Sequence, residues 1–266
     1  MLKRFVSMMI GILILATVMI WNNTLVFSIS VTAVAMIGLF EFYSALKKKG
    51  FRPIGWIGYL ITLMLVIIPY VSLESIRFAL AIILPLTMLI SFLVSIIKNM
   101  KVNVADIAVT ILGIIYVTYL FAFIIFTRQM ENGIYYIWFV LGGAWMTDIF
   151  AYLVGITIGK HRFSEISPKK SIEGCIGGLV GSILFFVGYS YYLNSIGMEL
   201  NYTLMAIIGL IASVVAQIGD FAASSIKRYC EIKDFGNIMP GHGGILDRFD
   251  SILFIAPYIY VVFSMM

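Results

Sequence analysis

Residues 203–250 read TLMAIIGLIASVVAQIGDFAASSIKRYCEIKDFGNIMPGHGGILDRFD. The first part, through Ala223, is apolar over the length of a membrane-crossing helix, about 17–25 residues. At Ser224 the character changes. From there to Asp250 come four cations (Lys227, Arg228, Lys233, Arg248), four acids (Glu231, Asp234, Asp247, Asp250), His242 and four glycines. Charge and glycine at this density beside an apolar run read as a site, not a spacer.

Working outward, the apolar pattern repeats over most of the 266 residues, of which 62% are hydrophobic and 12% charged. Soluble domains carry about 25% charged residues. The expected fold class is therefore all-α, a polytopic membrane protein of about nine transmembrane helices. They are placed near 5–21, 25–46, 56–73, 78–97, 104–126, 134–158, 174–194, 203–223 and 250–266. The first follows Lys3 and Arg4 but has no convincing small-x-small cleavage site before Asn22, so it reads as a retained helix. Five spans fall in an N-terminal region, 1–130. Four fall in a C-terminal catalytic region, 131–266, which holds polar loops at 159–173 and 224–249.

Basic residues set the expected orientation. With the N-terminus in the cytoplasm, 16 of the 18 Lys and Arg residues lie on that side, and only Arg77 and Arg128 fall outside. This places 224–250 at the cytoplasmic face. The two cysteines, Cys175 and Cys230, are far apart and lack any zinc-ligand spacing. Together with only two histidines, this limits any metal to a hard cation held by carboxylates, most plausibly Mg²⁺.

The first five spans carry little chemistry. Glu41 is expected to snorkel or pair with nearby lysines, and Asp106 to lie at the interface. The sixth span differs: Asp148, Ala151, Tyr152, Gly155 and Gly159 share one helical face, and its small residues permit close approach of a neighbour. An acid as deep as Asp148 is costly unless paired or bound to a cation. In the following loop, Ser167-Pro168 can start a turn, Lys169 and Lys170 suit phosphate, and Ser171 can cap the next helix. GITIGK lacks the spacing of a P-loop, and the glycines at 174, 177, 178 and 181 read as helix packing. If the eighth helix continues past Ala223, Asp220, Ser224 and Lys227 line one side of it. The PGHGG segment can expose backbone N–H groups as an anion-binding nest.

Asp148, Asp220 and Asp247, with Asp250 one turn beyond, are expected to converge at the cytoplasmic ends of their helices. Acids so close repel unless cations bridge them. Carboxylates, divalent metal and phosphate-binding donors together suit phosphoryl or nucleotidyl transfer. No Ser-His-Asp spacing points to acyl transfer, and no basic-aromatic surface points to nucleic acid.

The stretch from Ser224 to Asp250 resembles the signature of the phosphatidate cytidylyltransferases (CDP-diacylglycerol synthases). The matching residues are Ser224, Ile226, Lys227, Arg228, Lys233, Asp234, Pro240, His242, Gly243, Gly244, Ile245, Asp247, Arg248, Phe249 and Asp250. Met239 stands where Leu, Ile or Phe is usual. The run from Asp148 to Gly159 and that from Ser167 to Gly174 are similar to the family too, with Ser171 in place of its commoner Thr. The N-terminal half resembles the family only in being a bundle of membrane helices.

The resemblance implies an enzyme that joins CTP and phosphatidate into CDP-diacylglycerol and pyrophosphate, a step of phospholipid biosynthesis at the inner membrane. It implies Asp220, Asp247 and Lys227 as catalytic residues. Mg²⁺ would be held by Asp220 and Asp247, with Asp148 and Asp250 as further ligands or partners of ligands, and a second metal ion is an open alternative. Arg228, Lys233, Arg248, Lys169 and Lys170 would bind phosphates, while Ser224, Ser225, His242, Gly243 and Gly244 add hydrogen bonds. A homodimer is the expected assembly. Two other readings stand beside this one: a lipid-alcohol kinase using CTP, and a cation-coupled transporter using Asp148 and Asp220. Against transport, the charged cluster sits at one membrane face and no inverted repeat is visible.

Overall fold

A computed structural model of the protein describes residues 17–18, 23–162, 167, 170–239 and 243–266. Among them there are helices and no strand, only isolated bridges pairing Arg162 with Ser171 and Met239 with Gly243. Two compact units form. One takes in the described residues of Met1–Gln129 with Tyr229–Arg248, the other Met130–Arg228 with Phe249–Met266.

In the first unit, α1 (Thr24–Lys48) begins where Asn23 accepts the N–H groups of Leu25 and Val26. Its buried side carries Leu39, Phe42 and Tyr43. A short helix α2 (Gly55–Leu63) tightens into a 3-10 turn over Met64–Tyr70. Pro69 lies in that turn, where its missing N–H removes an internal hydrogen bond. The helical segment ends at Tyr70, short of the expected 56–73. α3 (Leu73–Ile97) follows, capped by Ser72. α4 (Val104–Gly113) runs through a π-helical turn, Ile114–Tyr119, into α5 (Leu120–Gln129). The Tyr43 ring lies against Gly113 just before that turn, and its hydroxyl donates to the Thr110 carbonyl at 2.8 Å.

Two acids of this unit are buried and bonded to the backbone. The first is Asp106. It is 2% exposed, forms a capping box with Asn103 at the start of α4, and accepts the Arg52 N–H at 2.6 Å. Glu41 neither snorkels nor reaches a lysine. It too is 2% exposed and is bonded to backbone N–H groups of Ile245 and Leu246.

The second unit contains α6 (Gly133–Ile158), α7 (Ile172–Ser195), α8 (Tyr202–Tyr229, entering the first unit at its last residue) and most of α9 (Leu246–Ser264). Its buried centre is aromatic and aliphatic: Phe139, Phe186, Leu193, Met205 and Leu253.

Six described helical stretches have the length and apolar content to cross a membrane: Thr24–Lys48, Glu74–Ile97, Val104–Gln129, Gly133–Ile158, Ile172–Ser195 and Tyr202–Tyr229. Large apolar side chains stand outward on them, among them Phe78, Leu89, Ile96, Ile156, Leu184 and Ile207. Lipid removes the penalty that water would impose on such surfaces, and helices satisfy their own backbone polar groups there. The protein is thus an all-α integral membrane protein. The expected span at 5–21 lies almost wholly outside the described residues, and α9, at 19 residues, opens with Asp247, Arg248 and Asp250.

Candidate active site

The second unit brings α6 and α7 together through glycine. A Cβ at Gly174 would stand 2.7 Å from the Ala151 carbonyl oxygen, and one at Gly178 would stand 2.9 Å from that of Thr147. At Gly177 and Gly181 it would strike Val154 and Phe150. These glycines pack helices, as their spacing predicts, and place Ala151 and Gly155 against the start of α7. Ser171 caps α7 by accepting the Gly174 N–H at 3.1 Å. Glu173, one residue into the helix, accepts the backbone N–H groups of Lys160 and His161 and pairs with His161 Nδ1 at 2.6 Å. The loop leaving α6 is thereby tied to the head of α7.

That loop delivers Lys170. Its ammonium pairs with the Asp220 carboxylate on α8 and lies 4.6 Å from the centre of the Phe221 ring. Burial pushes the Lys170 ammonium below the usual lysine range, while Asp148 and Asp250 oppose that shift. Asp148 and Asp250 are joined through Ser251, whose hydroxyl donates to Asp148 Oδ2 at 3.4 Å and whose N–H donates to Asp250 Oδ1 at 2.8 Å. Gly219 explains the close crossing of α8 and α9: a Cβ there would lie 2.7 Å from the Asp250 carbonyl oxygen. Three of the four expected metal ligands, Asp148, Asp220 and Asp250, thus share this unit with Lys170.

α8 runs on to Tyr229, so Asp220, Ser224 and Lys227 do follow one another down one helical side. Ser224 and Lys227 are half-buried, and Ser225 and Arg228 are exposed.

The fourth expected ligand, Asp247, lies in the first unit and is 8% exposed. Its Oδ2 accepts the N–H groups of Phe235 at 2.8 Å and Gly244 at 3.0 Å. The Glu41 carboxylate accepts the next two, Ile245 at 3.0 Å and Leu246 at 2.8 Å. The N–H groups of residues 244–246 therefore turn toward the protein's own carboxylates, while the first three residues of PGHGG lie outside the described residues. Gly243 takes φ +85°, a conformation that favours glycine. Lys233 and Arg248 are exposed. Lys169 and His242 lie outside the described residues, as do Pro168, Pro240 and Gly241.

Glu41 is the residue that sequence reasoning missed. The signal available was indirect: α9 opens after Ile245, which offers no side-chain cap, so its first N–H groups need an acceptor from elsewhere.

Among the described residues, no three His, Cys, Asp or Glu side chains gather closely enough to hold a metal by themselves. Carboxylates and a hydroxyl are nevertheless hard oxygen donors, and Mg²⁺ commonly takes only one or two protein carboxylates, completing its shell with water and substrate phosphates. The donors fit such an ion in kind. Hard-cation donors, an ammonium among acids, and hydroxyls along α8 suit the handling of a polyphosphate.

Comparison with known proteins points the same way. A phosphatidate cytidylyltransferase of Bacillus subtilis (strain 168) is 33% identical over 250 residues, covering 90% of this chain and 89% of the relative. One from Synechocystis is 30% identical, covering 97% of this chain and 94% of the relative. One from Staphylococcus haemolyticus is 37% identical over 170 residues, 64% of this chain and 63% of the relative. The model of the cytidylyltransferase family matches residues 2–266. With that match spanning both units and every acid described above, the chain belongs to the cytidylyltransferase family.

Proposed function

We propose that the protein is a phosphatidate cytidylyltransferase, transferring CMP from CTP to phosphatidate to give CDP-diacylglycerol and pyrophosphate. The observation that carries this reading is the Ser224–Asp250 signature within a chain 33% identical, over 90% of its length, to a protein of that name.

A phosphate oxygen of phosphatidate attacks the α-phosphorus of CTP. The bond from that phosphorus to the bridging oxygen breaks, and pyrophosphate leaves with the electron pair. The nucleophile is already anionic, so no general base is required. Lys227, Arg228, Lys233, Arg248, Lys169 and Lys170 hold phosphates of CTP or lipid. Ser224, Ser225, His242 and Gly243 add hydrogen bonds. Gly244 contributes mainly by its smallness, since its N–H is bonded to Asp247. The carboxylates assigned to Mg²⁺ are Asp220, Asp148 and Asp250 in one unit and Asp247 in the other, each on its own donor chemistry; a second ion is compatible with this number of acids. When bound, Mg²⁺ neutralises the triphosphate and the departing pyrophosphate.

The basic-residue bias supports an N-terminus in the cytoplasm and a reaction at the cytoplasmic face of the inner membrane. A homodimer is proposed on family resemblance alone.

The test is turnover by purified protein in detergent with phosphatidate, Mg²⁺ and each of the four nucleoside triphosphates. CDP-diacylglycerol and pyrophosphate formed from CTP or dCTP, and lost on adding EDTA, are the expected result. Transfer of a single phosphate to a lipid alcohol would replace this reading with a CTP-dependent kinase. No turnover by folded protein would bring cation-coupled transport forward.

A further inference from the structure

We infer that Glu41, in the N-terminal half of the chain, is a positioning residue for the transfer reaction: its buried carboxylate caps α9 from α1 and so sets the stance of Asp247. The inference rests on the function proposed above and names a residue to which that reading gives no part.

A carboxylate with 2% exposure on an apolar helix is costly unless its oxygens are bonded. Glu41 uses both. Oε1 accepts the Ile245 N–H and Oε2 the Leu246 N–H. α9 begins at Leu246, so these belong to the N–H groups that a helix start leaves without internal partners. A negative charge is favourable there by the helix dipole as well. The cap of α9 is thus supplied by a residue 205 positions earlier.

The neighbouring backbone is shaped to that carboxylate. A Cβ at Gly236 would stand 2.2 Å from Glu41 Oε1, and one at Gly244 would stand 2.5 Å from Oε2. Beside it, Asp247 gathers Phe235 and Gly244 through Oδ2. Phe235, Gly236 and residues 244–246 therefore gather about two carboxylates, one from α1 and one from α9 itself. A second tie, Lys49 to Glu231, holds the chain just ahead of Phe235 to the end of α1. Displacing Glu41 frees the first turn of α9 and with it the direction in which Asp247 points. Small displacements of positioned groups cost turnover heavily, about a hundredfold for an ångström.

The experiment compares wild type, Glu41→Gln and Asp106→Asn in the same detergent. Glu41→Gln keeps the volume but replaces one accepting oxygen by an amide NH₂ that cannot accept an N–H. Asp106 is the control, because it is equally buried in the same unit and also accepts two backbone N–H groups. Two readouts are taken: hydrogen exchange of the 235–247 backbone without substrate, and kcat and KM for CTP. Glu41→Gln is expected to speed exchange in 235–247 and to lower kcat by about tenfold to a hundredfold, with a smaller change in KM. Asp106→Asn is expected to lower the melting temperature without lowering kcat. Unchanged exchange in Glu41→Gln, or a kcat loss equalled by Asp106→Asn at the same loss of melting temperature, overturns the positioning role. Wild type that makes no CDP-diacylglycerol would instead remove the proposed function, and with it a role in that reaction; the exchange readout alone would then decide whether Glu41 holds the segment.

Discussion

Gly244 and Glu41 meet so closely that a methyl group on Gly244 would lie 2.5 Å from Glu41 Oε2. This contact joins the polar segment before α9 to the middle of α1, and it forbids any side chain at 244 while the carboxylate stays in place. Gly244→Ala is therefore expected to destabilise the protein by about 1–3 kcal/mol, the usual range for overpacking, and to reduce turnover. Thermal unfolding in detergent measures the first and CDP-diacylglycerol formation the second. If the contact is the cause, Glu41→Ala and Gly244→Ala combined will be less damaging than the sum of the two alone.

Much of the frame was legible because apolar length and small-residue spacing are local signals. Helix α6 was expected at 134–158 and spans Gly133–Ile158. Gly174 and Gly178 were read as packing positions, and Ser171 as a cap, since each rests on neighbours in sequence. Glu41 was not legible. An acid followed by Lys47, Lys48 and Lys49 looks like an interfacial pair, whereas its true partners are backbone N–H groups, which leave no mark in composition. Asn103-x-x-Asp106 has capping-box spacing, but the burial that makes the box matter comes from tertiary packing. Gly244 makes the same point: glycine says that an N–H group can be offered, not to whom, and here Asp247 accepts it.

The α6–α7 contact gives a second prediction. A Cβ at Gly174 would press on the Ala151 carbonyl oxygen at 2.7 Å, and backbone cannot swing aside as a side chain can. Gly174→Ala should force the helices apart at the end that carries Lys170, costing about 1–3 kcal/mol. Gly188, with nothing near its Cβ position, supplies the control: Gly188→Ala should leave the melting temperature level or raise it slightly, since alanine favours helix. Equal losses for both would show that the effect is not the close approach.

The Lys170 ammonium pairs with Asp220, one of the four candidate metal-ligand acids. Lys170→Met keeps most of the length and removes the charge. It leaves Asp148, Asp220 and Asp250 without the ammonium that sits among them, and takes one donor from the phosphates. Turnover is expected to fall about tenfold or more. A variant with wild-type kcat and KM for both substrates would take Lys170 out of phosphate binding.

Lys49 and Glu231 provide a pH test outside the membrane-spanning helices. The hydrogen bond from Lys49, with its charge, holds the Glu231 carboxyl below its ordinary value of 4.5. A carboxylate depressed in the folded state adds stability above its unfolded pKa, and that stability is lost as pH falls through the lower folded value. Wild type should thus melt slightly above Glu231→Gln at pH 7, with the gap closing as the solution is acidified below pH 4.5. Both groups are solvated, so 1 M salt should also shrink the gap, by screening. A gap that widens in acid would reverse the assignment.

Asp247 separates structure from chemistry because one of its oxygens serves the fold. Oδ2 accepts Phe235 and Gly244, and the amide oxygen of asparagine can do the same. Asp247→Asn should therefore insert, purify and melt close to wild type. It removes the negative charge that a divalent ion requires, and turnover should drop by on the order of a hundredfold or more. Asp247→Ala removes the acceptor as well. Each buried N–H left without a partner costs about 1–3 kcal/mol, so this variant should lose both stability and activity. The informative comparison is the melting temperature of the two: if asparagine destabilises as much as alanine, the loss of turnover reports a collapsed segment, and Asp247 loses its claim to a part in the reaction.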